Sequence, residues 1–190
     1  MYLLRDDINE IADLVLQGNI ICYPTDTVWA IGGDATNPDT VARIRALRQH
    51  PDSEGLVVLV DSIEMLKQYA SDLPPRIETL LSLHHRPFSL IYNNCHGLAP
   101  NAGAADHSVA IRVTYESFSQ LLIQTVGRPL IATGPCLFGA PYPTHFGAIS
   151  SDMLGKADYV VKYRQDDKKP ALPSPLARLD QFQELDFIRE

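Results

Sequence analysis

Cysteine and positive charge are scarce in this sequence of 190 residues. The three cysteines, Cys22, Cys95 and Cys136, are widely separated and form no Cys-x-x-Cys pair, so they give no sign of zinc binding or redox chemistry. We interpret them as buried or partly buried reduced thiols. Cys136 invites a nucleophile hypothesis, but the sequence identifies no base that would activate it.

Lysine and arginine together number 16 against 23 aspartate and glutamate residues, which gives a formal net charge of -7. This balance argues against a protein that grips nucleic acid with its whole surface, because that mode requires many phosphate neutralisations. A local basic cleft remains open. Arginine outnumbers lysine, and Arg43, Arg45 and Arg48 occur in one predicted helix, where we expect them to be exposed.

Long hydrophobic runs are also lacking. No stretch approaches the roughly 20 apolar residues that span a bilayer, and acidic side chains follow the start of the chain where a secretory signal would continue apolar. We therefore expect a cytoplasmic protein without a membrane partner.

Apolar spacing and turn residues predict alternating helices and strands. Asn37 followed by Pro38 predicts a capped helix start. Helices are predicted over residues 8–16, 38–48, 62–69, 76–83 and 116–126. Strands are predicted over residues 19–22, 56–60, 88–92, 108–113, 130–132, 159–163 and 186–189. The alternation predicts an α/β protein with a mixed sheet, in a single domain over residues 1–190.

A short polar segment separates two apolar runs within residues 21–34. Pro24 cannot continue a central strand, so a strand is expected to end there. In an extended backbone Thr25 and Thr27 would point to one side and Asp26 to the other, whereas in a turn either hydroxyl would cap nearby backbone groups. Both arrangements create a polar lip at a strand end, where α/β sheets bind small ligands, and a capping turn alone explains the residues equally well.

Residues 23–32, Tyr-Pro-Thr-Asp-Thr-Val-Trp-Ala-Ile-Gly, closely resemble the Tyr/Phe-Pro-Thr-Glu/Asp-Thr-Val-Tyr-Gly-Leu-Gly signature of the YrdC-like (YrdC/YciO) family, the threonylcarbamoyl-AMP synthases and their relatives. Further segments match in the same order, at residues 48–51, 55–56, 108–113, 127–133, 173–176 and 188–189. The resemblance covers residues 8–189 and implies the YrdC-like fold, a single domain with a twisted open sheet, flanking helices and a concave cleft.

The resemblance also implies an activity. Synthases of this family combine L-threonine, bicarbonate and ATP into threonylcarbamoyl-AMP and pyrophosphate, for the formation of threonylcarbamoyladenosine in tRNA. ATP with Mg²⁺ is then a substrate, and no tightly bound cofactor is expected. Several relatives are also described as binding double-stranded RNA or tRNA, which makes these RNAs possible partners.

The family's site residues match particular positions of this sequence. The resemblance implies amino-acid binding by Thr25, Thr27 and Arg112, where Arg112 would hold a carboxylate bidentately. A structural ion pair is the alternative for Arg112, because an arginine inside an apolar strand needs a partner. Nucleotide contacts are implied at Arg48, His50, Ser108, Thr133, Gly134 and Ser174. No metal-ligand spacing occurs among the histidines, including the pair His84 and His85.

The nucleotide side departs from the family pattern. Its Lys-x-Arg becomes Arg48 and His50, and its Ser-Ala-Asn becomes Gly-Pro-Cys at residues 134–136, which removes hydroxyl and amide groups that would contact ATP. Two hypotheses follow. The chain is a threonylcarbamoyl-AMP synthase-like enzyme, or it is a non-catalytic or divergent paralogue that binds double-stranded RNA, tRNA or a nucleotide in a cleft lined by Arg43, Arg48 and Arg112.

Overall fold

The structure is a computed structural model that describes residues 6–71, 73–83 and 86–189. The α-helices are α1 (Ile8–Leu16), α2 (Pro38–Arg48), α3 (Ile63–Tyr69), α4 (Pro75–Leu83), α5 (Ser117–Val126) and α6 (Ser151–Leu154). The strands are β1 (Ile21–Tyr23), β2 (Ala30–Gly32), β3 (Val57–Val60), β4 (Ser89–Tyr92), β5 (Val109–Val113), β6 (Leu130–Ile131), β7 (Tyr159–Val160), β8 (Leu176–Leu179) and β9 (Leu185–Arg189). The predicted α/β class is confirmed. Within the described ranges, no helix has the length and apolarity needed to cross a membrane.

The strands form two mixed sheets that contact each other where β2 lies against the end of β6. The smaller sheet has the order β2-β1-β7, and the larger has the order β6-β3-β5-β4-β8-β9. The Ile31 amide donates to the Thr133 carbonyl at 2.7 Å, and the Tyr23 hydroxyl donates to the Ile131 carbonyl at 2.8 Å, so β2 lies against the end of β6. A Cβ atom at Gly32 would come within 1.6 Å of the Ile131 carbonyl oxygen, so this approach requires glycine.

Helix boundaries follow the capping residues of the sequence. The Asn37 side chain accepts from the amides of Asp39 and Thr40, which confirms the predicted start of α2. The carboxylate of Glu116 caps α5, and Gly127 ends that helix in the left-handed region at a φ of 69°.

Two strands of the structure were not predicted, and one predicted strand is shorter than expected. β2 and β8 were not predicted, because one ends in glycine and the other directly follows a proline-rich segment. The strand predicted over 159–163 stops at Val160. The amides of Lys162 and Tyr163 instead donate to the Asp6 carboxylate at 3.0 and 2.8 Å, which removes them from a sheet ladder.

The predicted exposure of the arginines on α2 was wrong for two of them. Arg45 and Arg48 are buried, while Arg43 is half exposed. The Arg45 guanidinium donates to the carbonyls of Pro51, Asn101 and Gly103 at 2.7 to 2.8 Å, so it fastens two loops to α2. Helical periodicity identifies the face of α2 but not the loops that pack over it.

This bonding predicts unequal costs for two arginines of α2. Arg45→Ala leaves three carbonyls without their charged donor, and should lower the free energy of unfolding by about 3 kcal/mol. Arg43→Ala is the matched control: its exposed pair with Asp158 should contribute less than about 1 kcal/mol. Urea denaturation of both variants measures the difference, and equal costs would contradict the anchoring role of Arg45.

Candidate functional site

Two adjoining cavities lie where the two sheets meet. The larger has a volume of about 390 Å³, and the smaller has a volume of about 50 Å³. Both are lined by Val57, Thr133, Tyr142 and Arg189, so the cavities are neighbours with a common wall. A site made of two adjoining compartments is suited to two substrates that must meet.

Arg112 is a buried, positively charged residue that lines the smaller cavity. It lies on β5, is buried, and its Nη1 donates to the Thr27 hydroxyl at 2.7 Å. Its Nη2 donates to the Thr25 hydroxyl at 3.3 Å and lies 3.2 Å from Oδ1 of Asp26. Burial lowers the pKa of Arg112 from its ordinary value, and the negative charge of Asp26 opposes that shift. The residue is therefore a cation held in place by a hydroxyl-rich turn.

The Thr-Asp-Thr segment is a turn, which decides between the two backbone arrangements left open by the sequence. The Thr25 hydroxyl donates to the Val28 carbonyl at 2.8 Å and accepts from the Thr27 amide at 3.1 Å. Asp26 does not point away from the threonines, because it too approaches Arg112, and its Oδ2 accepts the Tyr115 amide at 3.1 Å. The Thr25 hydroxyl stabilises the turn through these hydrogen bonds, and Thr27 lines the smaller cavity.

Arg189 brings a second positive charge to the same wall. Its Nε and Nη2 donate to the Ser174 carbonyl at 3.0 and 2.7 Å, and the Ser174 hydroxyl lies 2.8 Å from that of Ser89. Within the described part of the chain, Nη1 of Arg189 has no protein acceptor. The buried Nε of Arg112 likewise lacks a partner among the described residues. Nη1 of Arg189 thus keeps a donor for an anion, whereas Nε of Arg112 is closed off from solvent.

Arg48 organises the larger cavity, although its guanidinium is mostly engaged by the protein. It donates to the Thr133 hydroxyl and, through Nε, to the Cys136 carbonyl at 2.9 Å. The Phe138 amide donates back to the Arg48 carbonyl at 2.8 Å. The end of α2 therefore holds the segment that follows β6.

His50 is neutral and has a defined tautomer. An Arg48 nitrogen lies 3.2 Å from Nδ1 of His50, and because arginine can only donate, Nδ1 must accept. Nε2 then carries the proton and donates to the Glu54 carbonyl at 3.2 Å. Burial, together with the charges of Arg48 and Arg45, lowers the pKa of His50 to about 4. His50 therefore adds no charge to the cavity near pH 7.

Ser108 and Gly134 line opposite parts of the site. The Ser108 hydroxyl donates to the Asp106 carboxylate at 2.7 Å, and Ser108 lines the larger cavity. The Gly134 amide has no protein acceptor among the described residues and borders the smaller cavity. A backbone N–H in this position can donate to an anionic group.

The family of the chain follows from comparison with known proteins. A model of the Sua5, YciO and YrdC family, described as "Telomere recombination", matches residues 13–190. The chain belongs to this family. It is 32% identical over 161 residues to the threonylcarbamoyl-AMP synthase of Stutzerimonas stutzeri (strain A1501), covering 78% of this chain and 86% of that protein. It is 29% identical over 139 residues to the synthase of Vibrio parahaemolyticus serotype O3:K6 (strain RIMD 2210633), covering 72% and 75%.

Solved members of the Sua5/YciO/YrdC family share the fold. A variant of P. abyssi Sua5 superposes with a TM-score of 0.84 at 24% identity, over 96% of this chain and 52% of that one. P. abyssi Sua5 complexed with L-threonine gives 0.77 at 22% identity, over 90% and 50%. E. coli YciO gives 0.83 at 20% identity, over 96% and 88%. This chain thus spans about half the length of the Sua5 chains and most of YciO.

The structure brings nearly all of the predicted site residues to the two cavities. Arg48, His50 and Ser108 line the larger, Thr27, Arg112, Gly134 and Ser174 line the smaller, and Thr133 lines both. Thr25 lies beneath them.

Two lining residues were missed from the sequence. Arg189 belongs to the last matched dipeptide, and that match was the available signal. Tyr142 lies in a Gly/Pro-rich loop, whose sequence carries no periodicity that would direct it to the site.

In the sequence, the histidines are candidate metal ligands and Cys136 is a candidate nucleophile. His84 and His85 lie outside the described residues, and the described ranges contain no cluster of three potential metal ligands. The Cys136 thiol lies 3.9 Å from Nη2 of Arg48 and 3.8 Å from the Ala140 carbonyl. Neither neighbour is a base that would activate it as a nucleophile.

The environment of His50 predicts a pH dependence of stability. In the unfolded chain His50 titrates near 6.5, but in the folded chain near 4, so between these values the unfolded state binds more protons. The free energy of unfolding should therefore fall as the pH decreases from about 6.5 to about 4. Denaturation across this range should show a shallower slope for His50→Gln, and NMR should find His50 uncharged at pH 5.5; equal slopes would contradict this environment.

Proposed function

We propose that this chain is a threonylcarbamoyl-AMP synthase-like enzyme that binds L-threonine in the smaller cavity and ATP, with Mg²⁺ as part of that substrate, in the larger. The reaction would convert L-threonine, bicarbonate and ATP into threonylcarbamoyl-AMP, pyrophosphate and water, for tRNA threonylcarbamoyladenosine formation. The observation that carries the proposal is the wall common to both cavities, because the carbamate and the α-phosphate must meet there. The named synthase relatives at about 30% identity support it.

The smaller cavity supports amino-acid recognition by charge and hydroxyl groups. A carboxylate entering it would approach Arg112, whose guanidinium is already oriented by Thr25 and Thr27. A preoriented, buried cation loses little side-chain entropy when it binds an anion. The free Nη1 of Arg189 on the adjoining wall adds a donor for a carboxylate or carbamate oxygen.

The larger cavity supports nucleotide binding in a different way from the family pattern. Its volume of about 390 Å³ lies within the range of small-molecule sites. Arg48 would act mainly by charge, because its donors are shared with Thr133 and Cys136, while Nη1 of Arg189, on the wall common to both cavities, keeps a donor for a phosphate oxygen. The Gly134 amide would add a donor only from the adjoining smaller cavity. Backbone N–H groups and arginine are the usual ligands of phosphate. The lost hydroxyl and amide side chains therefore do not leave the cavity without donors.

The RNA alternative has weaker support. The cleft of Arg43, Arg48 and Arg112 expected from the sequence does not exist as one surface: Arg43 contacts Gly18 and Asp158 beside β7, and the other two are buried. Phosphate backbones need accessible cations. Titration of a short RNA duplex at two salt concentrations tests the alternative, and salt-dependent binding would favour it.

A product assay tests the proposal directly. Purified protein with L-threonine, bicarbonate, Mg²⁺ and ATP should release pyrophosphate and form threonylcarbamoyl-AMP. Arg112→Lys keeps the charge but loses the planar fork, and Thr27→Val removes the hydroxyl that orients it, so each should lower product formation about 10- to 100-fold. Thr125→Val, on the exposed face of α5, is the control and should leave the rate unchanged. Absence of product from the wild-type protein at high concentration would refute the synthase function.

A further inference from the structure

Tyr142 occupies space that a side chain at position 134 would otherwise fill. A Cβ atom built on Gly134 would lie 2.2 Å from Cδ1 and 2.3 Å from Cε1 of the Tyr142 ring, well below any van der Waals contact. The family signature has serine at this position, so the glycine and the tyrosine ring are sterically coupled. The ring takes the volume that the serine side chain would hold.

The ring is positioned by anchors on both sides of its loop. Before it, the Phe138 amide donates to the Arg48 carbonyl at 2.8 Å, and the Cys136 carbonyl accepts from the Arg48 guanidinium. After it, the Ala171 amide donates to the Thr144 carbonyl at 2.9 Å. Tyr142 therefore projects from a segment that is hydrogen-bonded to the end of α2 on one side and to the irregular segment before β8 on the other.

Tyr142 also limits the smaller cavity. It lines that cavity together with Arg112 and Thr27, and the remaining volume is about 50 Å³. The Tyr142 hydroxyl has no protein partner among the described residues, so the contact of its ring, rather than a hydrogen bond, defines the wall. A bound amino acid would hold its carboxylate at Arg112 and direct its side chain into this restricted space.

We propose that Tyr142 is the specificity-determining wall of the amino-acid cavity, which excludes side chains larger than that of threonine. This inference rests on the proposed function, since it assumes that the cavity at Arg112 receives an amino acid. Each methylene that a closed pocket rejects changes affinity about 10-fold or more, so one aromatic ring can set the size limit. Shortening residue 142 should extend the cavity towards its larger neighbour and admit longer side chains.

The test measures the affinities of L-threonine and L-leucine by isothermal titration calorimetry for four proteins: wild type, Tyr142→Phe, Tyr142→Leu and Tyr142→Ala. The wild-type protein and Tyr142→Phe, which keeps the ring, should bind threonine at least about 10-fold more tightly than leucine. In Tyr142→Ala the ratio should fall to about 3 or less, with an intermediate ratio in Tyr142→Leu. Thermal denaturation checks that each variant is folded, and Tyr142→Leu carries the comparison if Tyr142→Ala is not.

The outcomes separate this inference from the proposed function. If the wild-type preference persists in both Tyr142→Ala and Tyr142→Leu, the wall is elsewhere and the inference is overturned, while threonine binding still supports the synthase. If the wild type binds no threonine but a shortened variant binds either amino acid, Tyr142 is the wall and the proposed substrate of the wild type is wrong. If no protein binds either amino acid, both are overturned.

Discussion

The buried guanidinium of Arg112 joins the two sheets at the site. It lies on β5 of the larger sheet and contacts the Thr25, Asp26 and Thr27 turn that connects β1 to β2 of the smaller one. A charge this deeply buried is tolerated only when it is paired and hydrogen-bonded, so the turn must keep its geometry. The residue that would recognise a carboxylate is therefore also a structural link, and the two roles use the same contacts.

The structure shows the ion pair that was one of the two interpretations of Arg112, and the carboxylate-binding interpretation stays a proposal. The ion pair with Asp26 exists, but Oδ1 of that carboxylate makes no hydrogen bond, and Nε of the arginine has no partner among the described residues. Buried polar atoms without hydrogen-bond partners lower the free energy of unfolding, so this pair stabilises the fold less than a fully hydrogen-bonded pair would. Arg112 and Arg189 both line the smaller cavity, so under the proposed function an anion there would meet two positive charges, in a chain whose net charge is -7.

The sequence could predict elements whose signals are local. The apolar run of β3 and the Asn37 cap of α2 need only neighbouring residues, and the ordered resemblance led to Thr27 and Arg112. The burial of Arg45 depends on the carbonyls of residues 51, 101 and 103. These residues lie outside the helix, so the sequence pattern of the helix could not predict the contacts. Arg189 and Tyr142 reach the cavities through the last strand and an irregular loop, so their roles follow from topology alone.

The departures from the family pattern form one packed unit. Arg48 donates to Thr133 and to the Cys136 carbonyl, His50 accepts from Arg48, and Gly134 lies under Tyr142. Residues in direct contact do not act additively, so restoring the family's serine at position 134 alone would collide with the tyrosine ring. These residues thus form a set of mutually dependent contacts. Under the proposed function, ATP binding would depend on this set, and the number of signature residues lost would not measure it.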